Sequence, residues 1–397
     1  MLKNKNLLNV IKKLSFTLFI VLIYLAGTYI PLPFADITHQ YAQAMKDTPL
    51  TLLGAFSGAN YGRLSIFSIG LNPLMFVMVI MQILMMTRIG GFDALSQNQM
   101  QYFMQFLTLI FTIAQAIFLV LSIDKNRDFI QDVDLVLILT AGSCLVVWLC
   151  YRNIKYGVGA SAPVILTGIL NGAIPNVVRN VKMLLNFDHA WVWISGLIIF
   201  IFALIVFWIA FSKAYYPLKV INPSLPSDSK PMLLPIGLNM AAMMMYMIGM
   251  ALLTVPVMLG QRLGPESIFS NQHFIVALSF LLAFLLFYFF MFVSFDPKEQ
   301  AKAFRNNHVY IKDIVPGKPT QKYLFRLLMI LAFPGAVLNA IQLVVGLYGA
   351  QFLGKYASLG IIPMNVVMIT LFMNGIKDQI LALLFPYKYD QLAKEEK

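Results

Sequence analysis

The chain alternates long apolar runs with short polar connections over its 397 residues. Ten of these runs approach or exceed the roughly 20 apolar residues that a helix needs to cross a bilayer. They lie at residues 14–33, 65–87, 102–123, 133–151, 158–178, 190–212, 232–259, 274–293, 327–348 and 358–376. The pattern predicts ten transmembrane helices, and an even number places both termini on the same side of the membrane.

Composition and charge placement agree with this topology. Hydrophobic residues make up 59% of the chain and charged residues only 12%, whereas soluble domains carry about 25% charged residues. Most of the 29 lysines and arginines fall in the termini and in the connections on the same side as the termini. Because basic loops stay inside, both termini are predicted to be cytoplasmic. The net charge of +12 therefore needs no nucleic-acid partner.

The basic residues before the first run also resemble the start of a signal peptide. Nine further runs and the lack of a small-residue cleavage pattern favour a retained transmembrane helix instead. Three longer segments separate the runs, at residues 36–64, 213–231 and 294–326. The last carries seven basic and three acidic residues and has proline-rich turns. It is predicted to be a structured cytoplasmic projection rather than a stretch that only attracts the inner leaflet.

Several kinds of chemistry are disfavoured. The interiors of the ten runs contain no ionisable residue, whereas ion-coupled carriers and proton pumps need such groups at mid-depth. Residues 315–320, Val-Pro-Gly-Lys-Pro-Thr, lack the first glycine of a phosphate-binding loop. The few cysteines and histidines are too scattered for a metal site. We expect no catalytic residue, metal or cofactor in this chain, so any energy must come from a partner.

Glycine, proline and methionine mark the candidate working parts. Residues 56–70 form a polar, glycine-rich stretch that leads into the second apolar run. Such a segment at membrane depth must lie in protein or in a water-filled cavity, which predicts a plug beside a pore helix. Methionines cluster in the second, seventh and tenth runs. Most are explained as packing filler, and a subset is predicted to line a deformable apolar constriction.

Several motifs, in order, resemble the SecY family of protein-conducting channels. Residues 27–33, Gly-Thr-Tyr-Ile-Pro-Leu-Pro, resemble the family's Y-R-x-G-x-x-I-P-x-P. Residues 56–73 are similar to its plug and second pore helix, F-S-G-G-A-L-S-R-F-S-I-F-A-L-G-I-M-P. Residues 156–159 and 234–241 resemble the starts of its fifth and seventh helices. Residues 294–297 and 316–324 resemble the two ends of its large cytoplasmic loop.

The resemblance implies an all-α fold of ten transmembrane helices in two inverted five-helix halves, residues 1–185 and 186–397, around a pore with a lateral gate. Matching within the motifs places a plug at about residues 51–63. The implied plug core consists of Phe56, Ser57, Gly58, Ala59 and Asn60. The implied pore ring consists of Leu71, Met75, Leu166, Met247 and Val366, with Val366 preferred over Asn365 in the tenth helix.

The cytoplasmic loop at 294–326 is implied to dock a motor. Its candidate contacts are the basic residues Lys302, Arg305, Lys318 and Lys322. Two departures from the family pattern are informative. The family's G-I-G-N-G is Gly-Val-Gly-Ala-Ser here, at 157–161, and Val315 replaces the arginine that precedes Pro-Gly. These departures favour the accessory branch of the family in Gram-positive bacteria over the housekeeping branch.

The predicted function is therefore the pore-forming subunit of a translocase in the bacterial cytoplasmic membrane. It would export an unfolded, serine-rich and glycosylated preprotein that carries a signal sequence. The resemblance implies an accessory SecA-like ATPase and small SecE/SecG-like or accessory membrane subunits as partners, besides membrane lipid. A housekeeping Sec channel subunit is the first alternative. A lipid or small-molecule transporter built from similar broken helices is the second, and a membrane-insertion scaffold without an openable pore is a third.

Overall fold

The computed structural model describes residues 2–33, 64–87, 95–122, 128–185, 190–223, 232–263, 267–352 and 362–385. These residues form eleven α-helices and three short strands. The helices are α1 (Leu2–Tyr29), α2 (Asn72–Thr87), α3 (Gln97–Ser122), α4 (Phe129–Tyr156), α5 (Ala162–Leu184), α6 (Ala190–Lys213), α7 (Ala242–Leu263), α8 (Gln272–Ser294), α9 (Pro297–Asn306), α10 (Lys318–Phe352) and α11 (Ile362–Leu384). The strands are β1 (Tyr215–Ile221), β2 (Met232–Gly237) and β3 (Tyr310–Ile311).

Each of the ten predicted apolar runs overlaps one α-helix. Seven helical stretches in the described residues are long and apolar enough to cross a membrane. The other three, within α2, α5 and α7, are shorter apolar helices. Each of these three begins directly after an irregular turn. Helix α9 is the exception to the apolar pattern, since it is polar and lies in the connection between α8 and α10.

The structure corrects three predicted boundaries. The run at 232–259 begins with strand β2, and α7 starts only at Ala242. Helix α10 begins at Lys318, inside the predicted cytoplasmic loop, and α11 continues to Leu384 beyond the end predicted at 376. These boundaries differ because hydropathy reports only which residues prefer the hydrocarbon of the bilayer. A helix, by contrast, continues into polar sequence as long as its backbone hydrogen bonds continue. An apolar strand and an apolar helix also look alike in hydropathy alone.

The described helices fall into two compact units. Unit 1 comprises Met1–Met183, Met250–Asn271 and Phe372–Lys397. In this unit α3 packs against both α2 and α4, and α1 packs against α4. Unit 2 comprises Leu184–Gly249 and Gln272–Leu371. In unit 2 both α8 and α9 pack against α10. The division into two inverted halves at 185/186 stays a prediction.

A small antiparallel sheet lies in unit 2, with strand order β2-β1-β3. Strand β1 pairs with β2 from Tyr215↔Gly237 to Val220↔Met232, and with β3 through Val220↔Ile311 and Ile221↔Tyr310. Along β1, Leu218 and Val220 are buried while Lys219 between them is exposed, the alternation of a half-buried strand. The sheet therefore joins the two long connections that are predicted to be cytoplasmic, 213–231 and 294–326, whose pairing the sequence did not predict.

The connection between α4 and α5 is held by one buried asparagine. The side-chain amide of Asn153 donates to the carbonyl oxygens of Val158 (3.0 Å) and Ala160 (2.7 Å). The Val158 N–H donates to Thr17 Oγ1 at 2.9 Å, and that hydroxyl also lies 2.9 Å from Asn153 Oδ1. Gly159 and Ala160 both have positive φ, 84° and 49°. A tight reversal in this position needs such partners, because unpaired backbone groups are costly where they are buried.

We expect Thr17→Val to destabilise the protein, because it removes the acceptor of the buried Val158 N–H. The cost of an orphaned buried donor is about 1–3 kcal/mol, measurable as a lower midpoint of thermal unfolding in detergent. Thr370→Val is the matched control, since Thr370 is equally buried (7% exposed, against 8% for Thr17) but donates only to Val366 O of its own helix. Equal midpoints for the two variants would contradict the bracing role of Thr17.

Candidate functional site

The segment that follows the predicted plug is anchored to the end of α1. The Leu32 N–H donates to Leu64 O at 3.1 Å, and the Ile66 N–H donates to Ile30 O at 3.3 Å. These bonds accompany an antiparallel bridge between Pro31 and Ser65. Residues 64–66 are therefore paired like a strand with the residues just after α1, which satisfies backbone groups that no helix covers.

Two glycines allow this segment to approach the helices closely. A Cβ on Gly27 of α1 would overlap the ring of Phe67, which stacks on Tyr24 with a centroid distance of 6.0 Å. A Cβ on Gly142 of α4 would overlap the carbonyl oxygen of Ile66. One residue after Gly142, the Ser143 hydroxyl donates to Gly70 O at 2.9 Å. Residues 64–70 are thus fixed against α1 and α4 immediately before α2.

The predicted plug core, Phe56, Ser57, Gly58, Ala59 and Asn60, lies outside the described residues. The same holds for the whole predicted plug at 51–63. What the structure describes is the fixed point at the C-terminal end of this segment, at residues 64–70.

The five predicted pore-ring residues share a position in their helices. Leu71 immediately precedes α2 and Met75 lies in its first turn, while Leu166, Met247 and Val366 lie within the first two turns of α5, α7 and α11. Leu71, Met75 and Met247 are buried, and Leu166 and Val366 are half-buried. Leu71, Met75 and Leu166 belong to unit 1, and Met247 and Val366 to unit 2. Their assembly into one ring stays a prediction.

The start of α7, which carries Met247, is fixed by a polar cluster to which the sequence analysis gave no role. The Asn339 side-chain amide of α10 donates to Asn239 Oδ1 at 2.8 Å, and the Tyr246 hydroxyl donates to Asn339 O at 3.2 Å. A Cβ on Gly335 would lie 2.6 Å from Leu238 O, so α10 approaches the turn before α7 closely. The available signal was the side-chain amide of Asn339, which, with Gln342, interrupts an otherwise apolar run at 327–348.

The four predicted docking residues lie on two helices that pack together. Lys302 and Arg305 are on α9, Lys318 and Lys322 are in the first two turns of α10, and all four side chains are exposed. Asp296 caps α9 by accepting from the Lys298 N–H at 2.8 Å. We call α9, the sheet β1–β3 and the first two turns of α10 the basic platform.

Buried side chains hold the basic platform together. Phe295 and Ala301 are buried on either side of the start of α9, and Leu324 is buried in α10. The Thr320 hydroxyl donates to Val315 O at 2.9 Å and so closes the turn before α10. Val315 itself is 69% exposed. The predicted projection is therefore ordered, and it presents an apolar side chain among its basic ones.

Comparisons with known proteins agree with the resemblance noted in the sequence. The family model described as SecY matches residues 65–372. The chain is 65% identical over 394 residues to "Accessory Sec system protein translocase subunit SecY2" of Lactobacillus johnsonii (strain CNCM I-12250 / La1 / NCC 533), covering 99% of this chain and 100% of that relative. It is 29% identical to the protein of the same description in Streptococcus pneumoniae serotype 4, over 94% and 95% of the two chains.

Solved structures of low sequence identity share the fold. One is described as "The structure of a protein conducting channel", with a TM-score of 0.67 and 15% identity over 96% of this chain and 94% of the other. Another is described as "Sec61 in the Canine ribosome-channel complex from the endoplasmic reticulum", with a TM-score of 0.62 and 14% identity over the same shares. The chain therefore has the multi-pass fold of these channels.

We expect Gly142→Ala to lower the midpoint of thermal unfolding. The added methyl group would collide with the backbone carbonyl of Ile66, which cannot move aside as a flexible side chain would, and overpacking costs about 1–3 kcal/mol. Gly196→Ala in α6 is the matched control, because a Cβ at Gly196 meets nothing within 4 Å. If both variants unfolded at the same temperature, residues 64–70 would not be clamped as described.

Proposed function

The chain belongs to the SecY family, and on that premise we propose that it is the pore-forming subunit of an accessory protein translocase. Its cargo is an unfolded, serine-rich and glycosylated preprotein with a signal sequence, which it passes outward across the bacterial cytoplasmic membrane. The observation that carries this proposal is the 65% identity to an accessory SecY2 subunit over nearly the whole chain. That identity favours the accessory branch over a housekeeping channel subunit.

Passage of polypeptide requires a seal that opens without admitting ions. In our proposal Leu71, Met75, Leu166, Met247 and Val366 form an apolar ring, which blocks ions at rest because water leaves a narrow apolar constriction. Unbranched methionine side chains adapt to different cargo residues as the chain passes. The plug at 51–63 closes the ring at rest and moves about its fixed end at residues 64–70, which support this role through their contacts with α1 and α4.

The energy for transport comes from a cytoplasmic partner in this proposal. An accessory SecA-like ATPase binds the basic platform through Lys302, Arg305, Lys318 and Lys322, and this chain itself catalyses no reaction. Exposed Val315 lies where the family pattern has an arginine, which favours a dedicated motor with an apolar contact at that point. Both termini are cytoplasmic in this orientation, as the distribution of basic residues predicts.

Small SecE/SecG-like or accessory membrane subunits complete the translocase in this proposal. Helix α6 supports their presence, because it is the least buried of the seven long apolar helices in the described residues. Trp191, Ile199 and Phe202 of α6 are each more than half exposed. A face of this kind is covered either by lipid or by a further transmembrane helix.

We expect a secretory chain stalled during export to crosslink to photoreactive residues placed at Met75 and Met247, because these positions line the path in our proposal. Ile199 and Phe202 of α6 are the control positions, since they are exposed on the least buried helix and should label lipid or a membrane subunit but not the secretory chain. The products are identified by mass spectrometry. Lipid-only labelling at Met75 and Met247 would favour a lipid transporter and overturn the polypeptide channel.

Charge reversal on the basic platform should weaken binding of the ATPase. We expect the combination Lys302→Glu, Arg305→Glu, Lys318→Glu and Lys322→Glu to reduce affinity by at least about tenfold at low ionic strength, and by less at high salt. The control reverses four cations of unit 1 on the same predicted side of the membrane, near the two ends of the chain: Lys3, Lys5, Lys377 and Lys388. Binding measured on proteoliposomes should fall only for the platform variant; an equal loss in both would mean that net charge alone attracts the motor.

A further inference from the structure

Helix α10 is the scaffold of unit 2, because both α8 and α9 pack against it. One face of α10 also approaches the helices that carry the proposed ring residues of this unit. A Cβ on Gly335 would collide with Leu238 O in the turn before α7, and a Cβ on Gly346 would collide with Met364 near the start of α11. Asn339 lies four residues after Gly335 and seven before Gly346, so it shares their face.

Three buried polar residues, which we call the α7–α10 cluster, join this face to α7: Asn239, Tyr246 and Asn339. The side-chain amide of Asn339 donates to Asn239 Oδ1 at 2.8 Å and to Gly335 O at 2.7 Å. Its backbone oxygen accepts from the Tyr246 hydroxyl at 3.2 Å. Asn239 is 6% exposed and the other two are 0% exposed. Water therefore has little access to these bonds, and two of them hold the start of α7 to α10.

Met247, a member of the proposed ring, is next to this cluster. The Ala242 N–H donates to Asn239 O at 3.2 Å, so α7 begins from a residue that α10 holds. Tyr246 directly precedes Met247, and consecutive side chains of a helix point about 100° apart. Because Tyr246 is bonded to Asn339 O, a tilt or rotation of α7 that carries Met247 away from its resting position stretches that bond. Widening of the ring therefore acts against the cluster.

The cluster is suited to release because it is incompletely paired. Asn339 Oδ1 is buried and has no hydrogen-bond partner among the residues that the structure describes. An unpaired buried acceptor is unfavourable and offsets part of the free energy that the neighbouring bonds contribute. A cluster of this kind holds α7 more weakly than a fully paired one. It therefore fits a contact that breaks during opening better than a permanent brace.

We propose that Asn339 is a positioning residue for the ring. Its bonds to Asn239 and Tyr246 hold α7, and Met247 with it, in the resting position, and they break when the channel opens. This role rests on the proposed function, since Met247 meets cargo only as a member of the proposed ring. A brace that only stabilises the fold would make the same contacts, so the test must separate the position of α7 from the stability of the protein.

The position of α7 can be followed with a thiol at residue 247. We would introduce Met247→Cys into a full chain that carries Cys144→Ala and Cys150→Ala, which replace its two native cysteines, and reconstitute it into vesicles. A charged methanethiosulfonate reacts only with thiols that water reaches. Since Met247 is 3% exposed, labelling should be slow at rest, and its rate reports how often α7 leaves the resting position.

Asn339→Leu removes the side-chain bonds of the cluster and leaves Asn239 Oδ1 without its donor. We expect labelling of the thiol to rise about fivefold, the factor that one hydrogen bond between membrane helices contributes. The midpoint of thermal unfolding should fall as well. Asn239→Leu combined with Asn339→Leu also removes the bond but leaves no unpaired oxygen, so the midpoint should return towards the wild-type value. Labelling should stay raised in this double variant, because no directional bond holds α7.

Two tyrosines of unit 2 give a milder, matched comparison. The Tyr288 hydroxyl of α8 donates to Met329 O of α10 at 3.2 Å, the same length as the bond from Tyr246 to Asn339 O. Tyr246→Phe and Tyr288→Phe each delete one such bond to α10, but only the first frees α7. We expect faster labelling in Tyr246→Phe and the wild-type rate in Tyr288→Phe. This pair keeps the proposal testable if Asn339→Leu does not fold.

Three results would overturn the proposal. An unchanged labelling rate in Asn339→Leu would mean that the cluster does not hold α7. A double variant in which both the labelling rate and the midpoint return to the wild-type values would make the cluster a brace of the fold alone. Equal labelling of Tyr246→Phe and Tyr288→Phe would mean that any contact with α10 has the same effect.

A secretory chain stalled during export separates this role of Asn339 from the proposed channel. If residue 247 lines the path, the stalled chain should protect the thiol in the Asn339→Leu variant, which is otherwise labelled fast. Labelling without protection, with every cluster variant behaving as expected, would contradict the path of the polypeptide and leave the control of α7 by Asn339 in place. Protection of the thiol without any effect of the cluster variants would support the channel and overturn the positioning role.

Discussion

Backbone groups that leave a helix where the chain is buried must find partners within the protein, because an unpaired buried N–H or C=O is costly, and this constraint organises the molecule. Three short helices, α2, α5 and α7, each begin after an irregular turn. Each turn is satisfied in its own way: by a strand-like pairing of residues 64–66 with the residues just after α1, by the side chain of Asn153, and by the Leu238 N–H, which donates to Ala214 O at 3.0 Å.

The breaks also decide where the proposed ring residues lie. Leu71, Met75, Leu166 and Met247 all lie beside or within the first turns after a satisfied break. Because hydrogen bonds and close contacts fix the start of each of these helices, the positions of the four side chains do not depend on the length of the preceding loops. Glycine makes the anchors possible, since a Cβ at Gly27 or Gly142 would occupy the space that the segment at 64–70 fills. A rigid anchor at residues 64–70 suits the seal proposed above, which must open and close repeatedly.

Hydropathy predicted the membrane helices well, and the SecY family membership inferred from short motifs is confirmed by the family model and the relatives. Hydropathy failed where an apolar sequence forms a strand, as in β2. The alternation of apolar and polar residues that marks a strand is absent there, because Leu233, Leu234 and Ile236 are all apolar. It also missed the sheet as a whole, since pairing between Val220 and Ile311 joins segments about 90 residues apart and leaves no local trace. The Asn239–Asn339 hydrogen bond could not be predicted for the same reason, since it too joins residues that are far apart in the sequence.

The sheet changes how the proposed docking surface works. If 213–231 and 294–326 were independent loops, ordering them would cost a partner much of its binding free energy, because each immobilised side chain and loop lowers affinity. Strand β1 instead ties both connections together, and α9 packs on α10. Lys302, Arg305, Lys318 and Lys322 are therefore presented on a preformed surface. In the proposed docking mode, exposed Val315, in the turn that precedes α10, would add an apolar contact that long-range charge attraction cannot supply. Such a contact would select one motor where net charge alone would attract many.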